Sequence, residues 1–343
     1  MEARALIRVA QSMMAAGKGL LAMDESTGTC DRRFASAGIA QTVQARRAYR
    51  DLLVTTPGLG GSISGAILYD ETIRQQTLDG RSFVAALNSV GIIPGIKVDL
   101  GTVELAGHPG ERVTEGLDGL RKRLQDYCAM GARFAKWRAV LAIGKGLPSA
   151  ACIEVNAHGL VCYAALCQEA GLVPIIEPEV LMDGDHTLAR CALVTQEVLH
   201  RVFDQIHVQG VVLEAMILKP NMVLPGLACP VQESVQEVAA ATVQCMLRTV
   251  PAAVAGIAFL SGGQSGDLAS ARLNAMHASP GPAAAGLPWP LTFSFGRALQ
   301  EPALAVWAGM SENRTAAQQA LLRRACDNAA ALGGHFCAGM ESA

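Results

Sequence analysis

Eight short apolar runs recur along the 343 residues. Each gives way to polar, Gly or Pro residues and then to a longer segment patterned for a helix. They occupy 20–23, 63–69, 95–100, 133–140, 173–178, 211–218, 256–260 and 291–295. From the first polar end to the last, the seven intervals average about 39 residues, against roughly 30 needed for one strand-plus-helix unit. Continuous apolar strands alternating with helices mark a parallel sheet covered by helices, and eight such units close as a (β/α)8 TIM barrel. The expectation is an α/β chain forming one domain over 1–343. It has an extra N-terminal helix in 1–18, a barrel core in 19–311, and a C-terminal helix plus short tail in 312–343.

Between the runs, 42–53, 116–130, 156–170, 185–203, 233–249 and 316–332 repeat apolar residues at i, i+3 and i+4, the spacing of a helix with one buried face. In the first of these, Arg46, Arg47 and Arg50 are read as facing outward. Residues 2–16 form the extra helix before the first strand. The stretch 279–290 reads as a loop, because its prolines remove backbone donors and its glycines break regularity.

Charge excludes more than it identifies. Lys+Arg number 28 and Asp+Glu 30, a formal charge of −2, so there is no electrostatic reason to expect nucleic acid or an anionic membrane surface. A mean hydropathy of +0.29 raises the membrane question. The longest uncharged run, 273–296, holds four prolines and cannot be a spanning helix. Residues 1–19 carry Glu2, Arg4 and Arg8 at helical spacing, which is not a secretory pattern. The ten cysteines include no Cys-x-x-Cys pair, as expected of a reduced, cytoplasmic protein without a disulfide framework. No His-x-x-x-His pair, P-loop or complete dinucleotide fingerprint occurs, so neither metal nor cofactor is expected.

Side chains at i and i+2 of a strand point the same way, and barrel chemistry gathers at the C-terminal strand ends. Those ends are ionic here: Asp24 with Glu25, Asp70 with Glu71, Lys97 with Asp99, Lys136 with Arg138, Glu177 with Glu179, and Lys219. Ser261 with Gln264 and Ser294 with Arg297 follow on the last two strands. Three amines and three carboxylates from five strands point to a polar pocket at one mouth rather than to a solvated rim.

Only six of the 28 basic residues are lysines. Lys219 closes an apolar run, and Pro220 restricts it to extended backbone. An amine attacks a ketone only when neutral, which requires its pKa to fall by ~3 units from ~10.4. Desolvation and a neighbouring charge such as Lys136 can supply that shift. From spacing alone, a nucleophile and half of a buried ion pair with Glu177 or Glu179 are equally good readings of Lys219. Glu177 and Glu179 lie on one strand face, and mutual repulsion suits one of them to proton transfer. Asp24 has the same geometry and suits a base acting on a substrate hydroxyl. Ser261-Gly262-Gly263 and Gly296 before Arg297 offer unobstructed backbone N–H groups of the kind that hold phosphate.

These residues resemble class I fructose-bisphosphate aldolase over about 17–332. The resemblance is carried by Gly19-Leu-Leu-Ala-Met-Asp24-Glu-Ser-Thr-Gly28, Gly95-Ile-Lys97-Val-Asp99, Phe134-Ala-Lys136-Trp-Arg138 and Pro174-Ile-Ile-Glu177-Pro-Glu179. It continues in Leu218-Lys219-Pro-Asn-Met222, Phe259-Leu-Ser261-Gly-Gly-Gln264 and Phe293-Ser-Phe-Gly296-Arg297. It implies that Lys219 forms a Schiff base with the ketone carbon of the sugar bisphosphate and that Glu177 moves protons through the carbinolamine. It further implies that Asp24 takes the C4 hydroxyl proton, Lys136 stabilises negative charge, and Glu179 orders the network. Ser261, Gly262, Gly296 and Arg297 would hold one phosphate; Ser26, Thr29, Arg33, Lys97 and Arg138 would supply the other phosphate and sugar contacts. The products would be dihydroxyacetone phosphate and glyceraldehyde 3-phosphate, formed without metal, and the assembly a homo-oligomer, commonly a tetramer.

The sequence departs from the family at Met23, Thr29 and Phe295, where Ala, Ser and Tyr are usual, and the 279–290 loop is longer than typical. Family tails commonly end in a tyrosine that assists enamine proton exchange. The last tyrosine here is Tyr163, so that step is expected to fall to another group or to water. Two alternatives stand beside this reading: a Schiff-base enzyme preferring fructose 1-phosphate or sedoheptulose 1,7-bisphosphate, and a non-catalytic scaffold on the same fold.

Overall fold

The computed structural model describes residues 3–278 and 286–337. Eight parallel strands close into a barrel in chain order. They are β1 Gly19–Ala22, β2 Ile63–Leu68, β3 Ile93–Lys97, β4 Phe134–Leu141, β5 Val173–Val180, β6 Ile217–Leu218, β7 Ile257–Phe259 and β8 Leu291–Phe295. Each expected run overlaps one strand. The sixth is shorter than its run: Leu213–Ala215 forms a 3-10 turn with Glu214 turned to solvent. Gln168 holds that turn by bonding both the N–H and the carbonyl of Val212. A small antiparallel hairpin, Thr102–Glu104 with Arg112–Thr114, lies between β3 and β4 and was not expected from the spacing.

The barrel interior changes character along its axis. On β5 the inward residues read Val173, Ile175, Glu177, Glu179, so one strand face runs from an apolar floor to an ionic mouth. The floor is packed by Phe134 and Phe293, and only glycine fits opposite them. A Cβ on Gly95 would lie 2.2 Å from the Phe134 ring, and one on Gly19 would lie 2.5 Å from the Phe293 ring. The N-terminal helix, Ala3–Met13, closes the lower end with Leu6, Ala10 and Met13 against Leu20, Ile67, Val173 and Ile217.

The six helices expected between strands are present: Val43–Val54, Leu120–Ala129, Ala150–Ala170, Leu188–Gln209, Val235–Thr249 and Arg314–Leu332. Four start where a Ser or Thr side chain accepts an N–H three residues on, at Thr42, Ser149, Thr187 and Ser234. The Ala150–Ala170 helix is long and apolar enough to cross a membrane by length and composition; here it packs on β4 and β5 as part of the barrel wall. Helices Thr27–Ser36, Asp70–Ile73, Phe83–Ser89, Gly266–Ala278 and Arg297–Trp307 were not expected.

The outward placement of Arg46 and Arg50 is corrected. Both are buried on the stripe they share with Tyr49 and Leu53. Arg46 pairs with Asp31 and Glu71, and Arg50 with Glu25. The helix faces carboxylates at the barrel mouth, and those carboxylates make burial of the guanidinium groups affordable. Arg47 is half-buried and donates to the carbonyls of Gln76 and Thr77. All ten cysteines are free. Residues 279–285 of the expected 279–290 loop, and 338–343 of the tail, lie outside the described residues.

Candidate active site

The C-terminal strand ends surround a cavity of about 980 Å³. Asp24 follows β1, Lys97 ends β3, Lys136 and Arg138 lie on β4, Glu177 and Glu179 on β5, and Lys219 follows β6; all of them line this space. Lys219 is fixed by the barrel ladder itself, its N–H donating to the Ile176 carbonyl at 2.8 Å. Lys136, Glu177 and Lys219 are each at most 4% exposed.

Four side chains form one chain of charge. Asp24 Oδ2 lies 2.7 Å from Lys136 Nζ, which lies 3.1 Å from Glu177 Oε2. Glu177 Oε1 in turn lies 3.1 Å from Lys219 Nζ. Of the two carboxylates considered for an ion pair with Lys219, it is Glu177 that makes it. Its Oε2 meets Lys136 as an ion-pair contact without hydrogen-bond geometry. Glu179 is engaged separately by Arg138, at 2.9 Å.

Burial alone would raise the Asp24 pKa. Lys136, and then Lys219, outweigh it and hold the carboxyl well below its usual range. Burial would likewise lower Lys136, but Asp24 and Glu177 push it above its ordinary value, so it stays an ammonium. Glu179 moves the other way: burial, reinforced by Glu177, raises it despite Arg138.

Two groups of anion-binding character flank this chain. Ser261, Gly262 and Gly263 follow β7, and Gly296 and Arg297 follow β8; all five line the cavity. Gly262 and Gly263 both have positive φ, 57° and 86°, a conformation natural to glycine. Arg297 Nη2 lies near Gly263, where a Cβ would approach it to 3.2 Å. Ser26, Thr29, Arg33, Lys97 and Arg138 line the same cavity from the ends of β1, β3 and β4. Ser26 caps the Thr27–Ser36 helix by accepting from Thr29 N–H, and Lys97 pairs with Asp99 at 2.6 Å. Every expected site residue therefore lines one cavity.

Sequence reading placed several further groups at the strand ends without giving them a role. Glu25 pairs with Arg33 at 2.5 Å and Arg50 at 2.5 Å and also accepts from Gln300, so it holds Arg33 at the wall. Arg50, expected to face outward, is instead buried behind Glu25. Ser294, named with Arg297 at the eighth strand end, lines the cavity with its buried Oγ unpartnered among the described residues. Glu71 pairs with Arg46 and Gln264 lies behind the Ser261 loop, and neither lines the cavity. Among the described residues no group of three or more His, Cys, Asp or Glu is placed to hold a metal ion.

The family model for fructose-bisphosphate aldolase class-I matches residues 5–343. A Xanthomonas campestris protein named "Probable fructose-bisphosphate aldolase class 1" is 56% identical over 330 residues, covering 96% of this chain and 97% of its own. Fructose-bisphosphate aldolase 5, cytosolic, of Arabidopsis thaliana is 50% identical over 334 residues, 97% of this chain and 92% of its own. A solved structure of the Plasmodium falciparum fructose-bisphosphate aldolase, in complex with TRAP and a small-molecule inhibitor, superposes with a TM-score of 0.95. It is 47% identical and covers 98% of this chain and 96% of its own.

Proposed function

The chain belongs to the class-I fructose-bisphosphate aldolase family of glycolytic lyases, and from that membership we propose that Lys219 is its Schiff-base amine, served by Glu177, Lys136 and Asp24. The observation that carries this reading is the buried sequence Asp24–Lys136–Glu177–Lys219, in which one carboxylate lies between two ammonium groups.

The chemistry follows from those contacts. Transfer of a proton from Lys219 to Glu177 leaves a neutral amine, whose lone pair attacks C2 of fructose 1,6-bisphosphate. Lys136 stays charged and stabilises the developing alkoxide, which takes a proton from the attacking nitrogen to become the carbinolamine hydroxyl. Glu177 returns its proton to the carbinolamine hydroxyl, which departs as water and leaves an iminium. Asp24, ionised up to this point, accepts the C4 hydroxyl proton. The C3–C4 electron pair moves into the iminium, giving an enamine and releasing glyceraldehyde 3-phosphate. Protonation at C3 and hydrolysis then free dihydroxyacetone phosphate and Lys219. Glu179, held by Arg138, keeps the Glu177 side of the strand in register.

Barrel order supports one assignment of the phosphates. Lys219 follows β6, and β7 and β8 are the next strands round, so Ser261, Gly262, Gly296 and Arg297 take the phosphate on C1, next to the iminium carbon. Ser26, Thr29, Arg33, Lys97 and Arg138 take the C6 phosphate and the sugar hydroxyls. A homotetramer in the cytoplasm belongs to the same proposal, supported by the family and by the cytosolic relatives; sedimentation and cell fractionation test it.

The direct test is borohydride trapping with dihydroxyacetone phosphate in the presence of a chelator, followed by peptide mapping. A three-carbon adduct on Lys219 is expected. An adduct on another lysine, or none on folded protein, overturns the assignment.

A further inference from the structure

Behind the Ser261–Gln264 loop, the Gly266–Ala278 helix buries an arginine that no carboxylate among the described residues answers. Arg46, Arg50 and Arg324 are also buried, and each of them holds at least one carboxylate. Arg272 is 5% exposed. Its Nη1 donates to Gln264 Oε1 at 2.7 Å, and its Nε has no hydrogen-bond partner. Burial alone lowers its pKa, with no neighbouring charge contributing. A guanidinium in this setting destabilises the fold, and an apolar side chain of similar volume would pack there at less cost.

What the arginine does supply is orientation. It can only donate, so Gln264 must turn its oxygen toward Arg272 and its amide nitrogen toward the loop. There Nε2 donates to the Ser261 carbonyl at 2.8 Å, and the Gln264 backbone N–H donates to the same oxygen at 3.0 Å. Two donors thus pin that carbonyl on the protein side. In a trans peptide the N–H points opposite to the C=O, so the Gly262 N–H is turned to the other side, where Ser261, Gly262 and Gly263 line the cavity.

We propose that Arg272 is a positioning residue of the phosphate subsite: through Gln264 it fixes the Ser261–Gly262 peptide with its N–H toward the bound phosphate, and it places an uncompensated positive charge behind that peptide. The inference rests on reading Ser261, Gly262 and Arg297 as that subsite. The phosphate dianion is then the charge partner that Arg272 lacks, and the stability lost in the free protein is recovered on binding.

The test compares Arg272→Met, Arg272→Lys and Arg297→Met by calorimetric titration of inorganic phosphate, with kcat and KM for fructose 1,6-bisphosphate. Arg272→Met is expected to weaken phosphate binding about tenfold and to raise KM by a similar factor, with kcat within about twofold. It is also expected to melt no lower than the parent, because a buried unpaired charge has gone. Arg272→Lys, which keeps the charge and the donor, restores affinity to within about threefold of the parent. Should Arg272→Met not fold, Arg272→Gln is read by the same affinities. Phosphate affinity within about twofold of the parent in Arg272→Met, or a loss that Arg272→Lys does not rescue, overturns the proposal. If Arg297→Met weakens phosphate and Arg272→Met does not, the role of Arg272 alone falls. If neither variant changes phosphate binding, the subsite reading falls with it.

Discussion

Lys219 Nζ lies 3.1 Å from Glu177 Oε1, with both groups buried. An ion pair and a nucleophile are therefore two protonation states of one contact rather than rival roles. Glu177→Gln keeps the shape and removes the proton acceptor. A group in general acid–base catalysis is worth about 10²–10⁴ in rate, so kcat for fructose 1,6-bisphosphate cleavage is expected to fall within that range. Borohydride trapping on Lys219 is expected to slow without disappearing, whereas Lys219→Met eliminates it. A loss of activity below about tenfold in Glu177→Gln rules out the proton-transfer role.

Among the described residues, Lys136 is the one ammonium paired with Asp24. Removing one partner of a buried pair strands the other charge, at a cost of about 3–5 kcal/mol. Lys136→Met is expected to lose that much unfolding free energy in urea. Adding Asp24→Asn to Lys136→Met is expected to recover most of it, since no buried charge is then left alone. Additive losses in the double variant would mean that the two side chains do not act as a pair.

The same carboxylates set opposite pH trends. Asp24 has a folded pKa below its ordinary 3.8, so between those values the unfolded chain binds more protons and stability rises with pH. Its contribution is complete above the ordinary value and is lost as pH falls toward the folded one. Glu179 has a folded pKa above its ordinary 4.5, so from 4.5 upward, through the folded value, it removes stability as pH rises. Unfolding free energies measured from pH 3 to 7 are expected to converge for Asp24→Asn and the parent toward the acid end. For Glu179→Gln, the decline with pH just above 4.5 is expected to flatten. An unchanged slope in both variants contradicts these assignments.

Arg50→Met strips Glu25 of one of its two guanidinium partners and is expected to cost about 3 kcal/mol; Arg47→Ala is expected to cost under about 1 kcal/mol. The contrast marks where the sequence was and was not legible. Barrel strands could be read because each is apolar on both faces at its floor and turns ionic on one face at its end, as along Val173 to Glu179. The mouth residues could be read because alternation gives side-chain direction without tertiary information. Arg46 and Arg50 were misplaced because charge suggested solvent, while the carboxylates that bury them come from Glu25, Asp31 and Glu71, whose proximity only the closed barrel creates. Arg272 was invisible for the same reason: an arginine at a helical position carries no mark of whether an acid faces it.

The two phosphate groups separate the candidate sugars. Arg297 adjoins Gly263 on the loop after β7, whereas Arg33 lies on the helix after β1, held by Glu25. Fructose 1-phosphate needs only the first group, and fructose 1,6-bisphosphate needs both. A hydrogen bond to a charged group contributes about 1.5–3 kcal/mol. Arg33→Met is accordingly expected to raise KM for the bisphosphate by about tenfold or more while leaving kcat/KM for fructose 1-phosphate within about threefold. Arg297→Met is expected to impair both sugars alike. Kinetics on the two substrates measure this directly. If Arg33→Met impairs fructose 1-phosphate as much as the bisphosphate, Arg33 does not read the C6 phosphate and must be reassigned to the sugar hydroxyls.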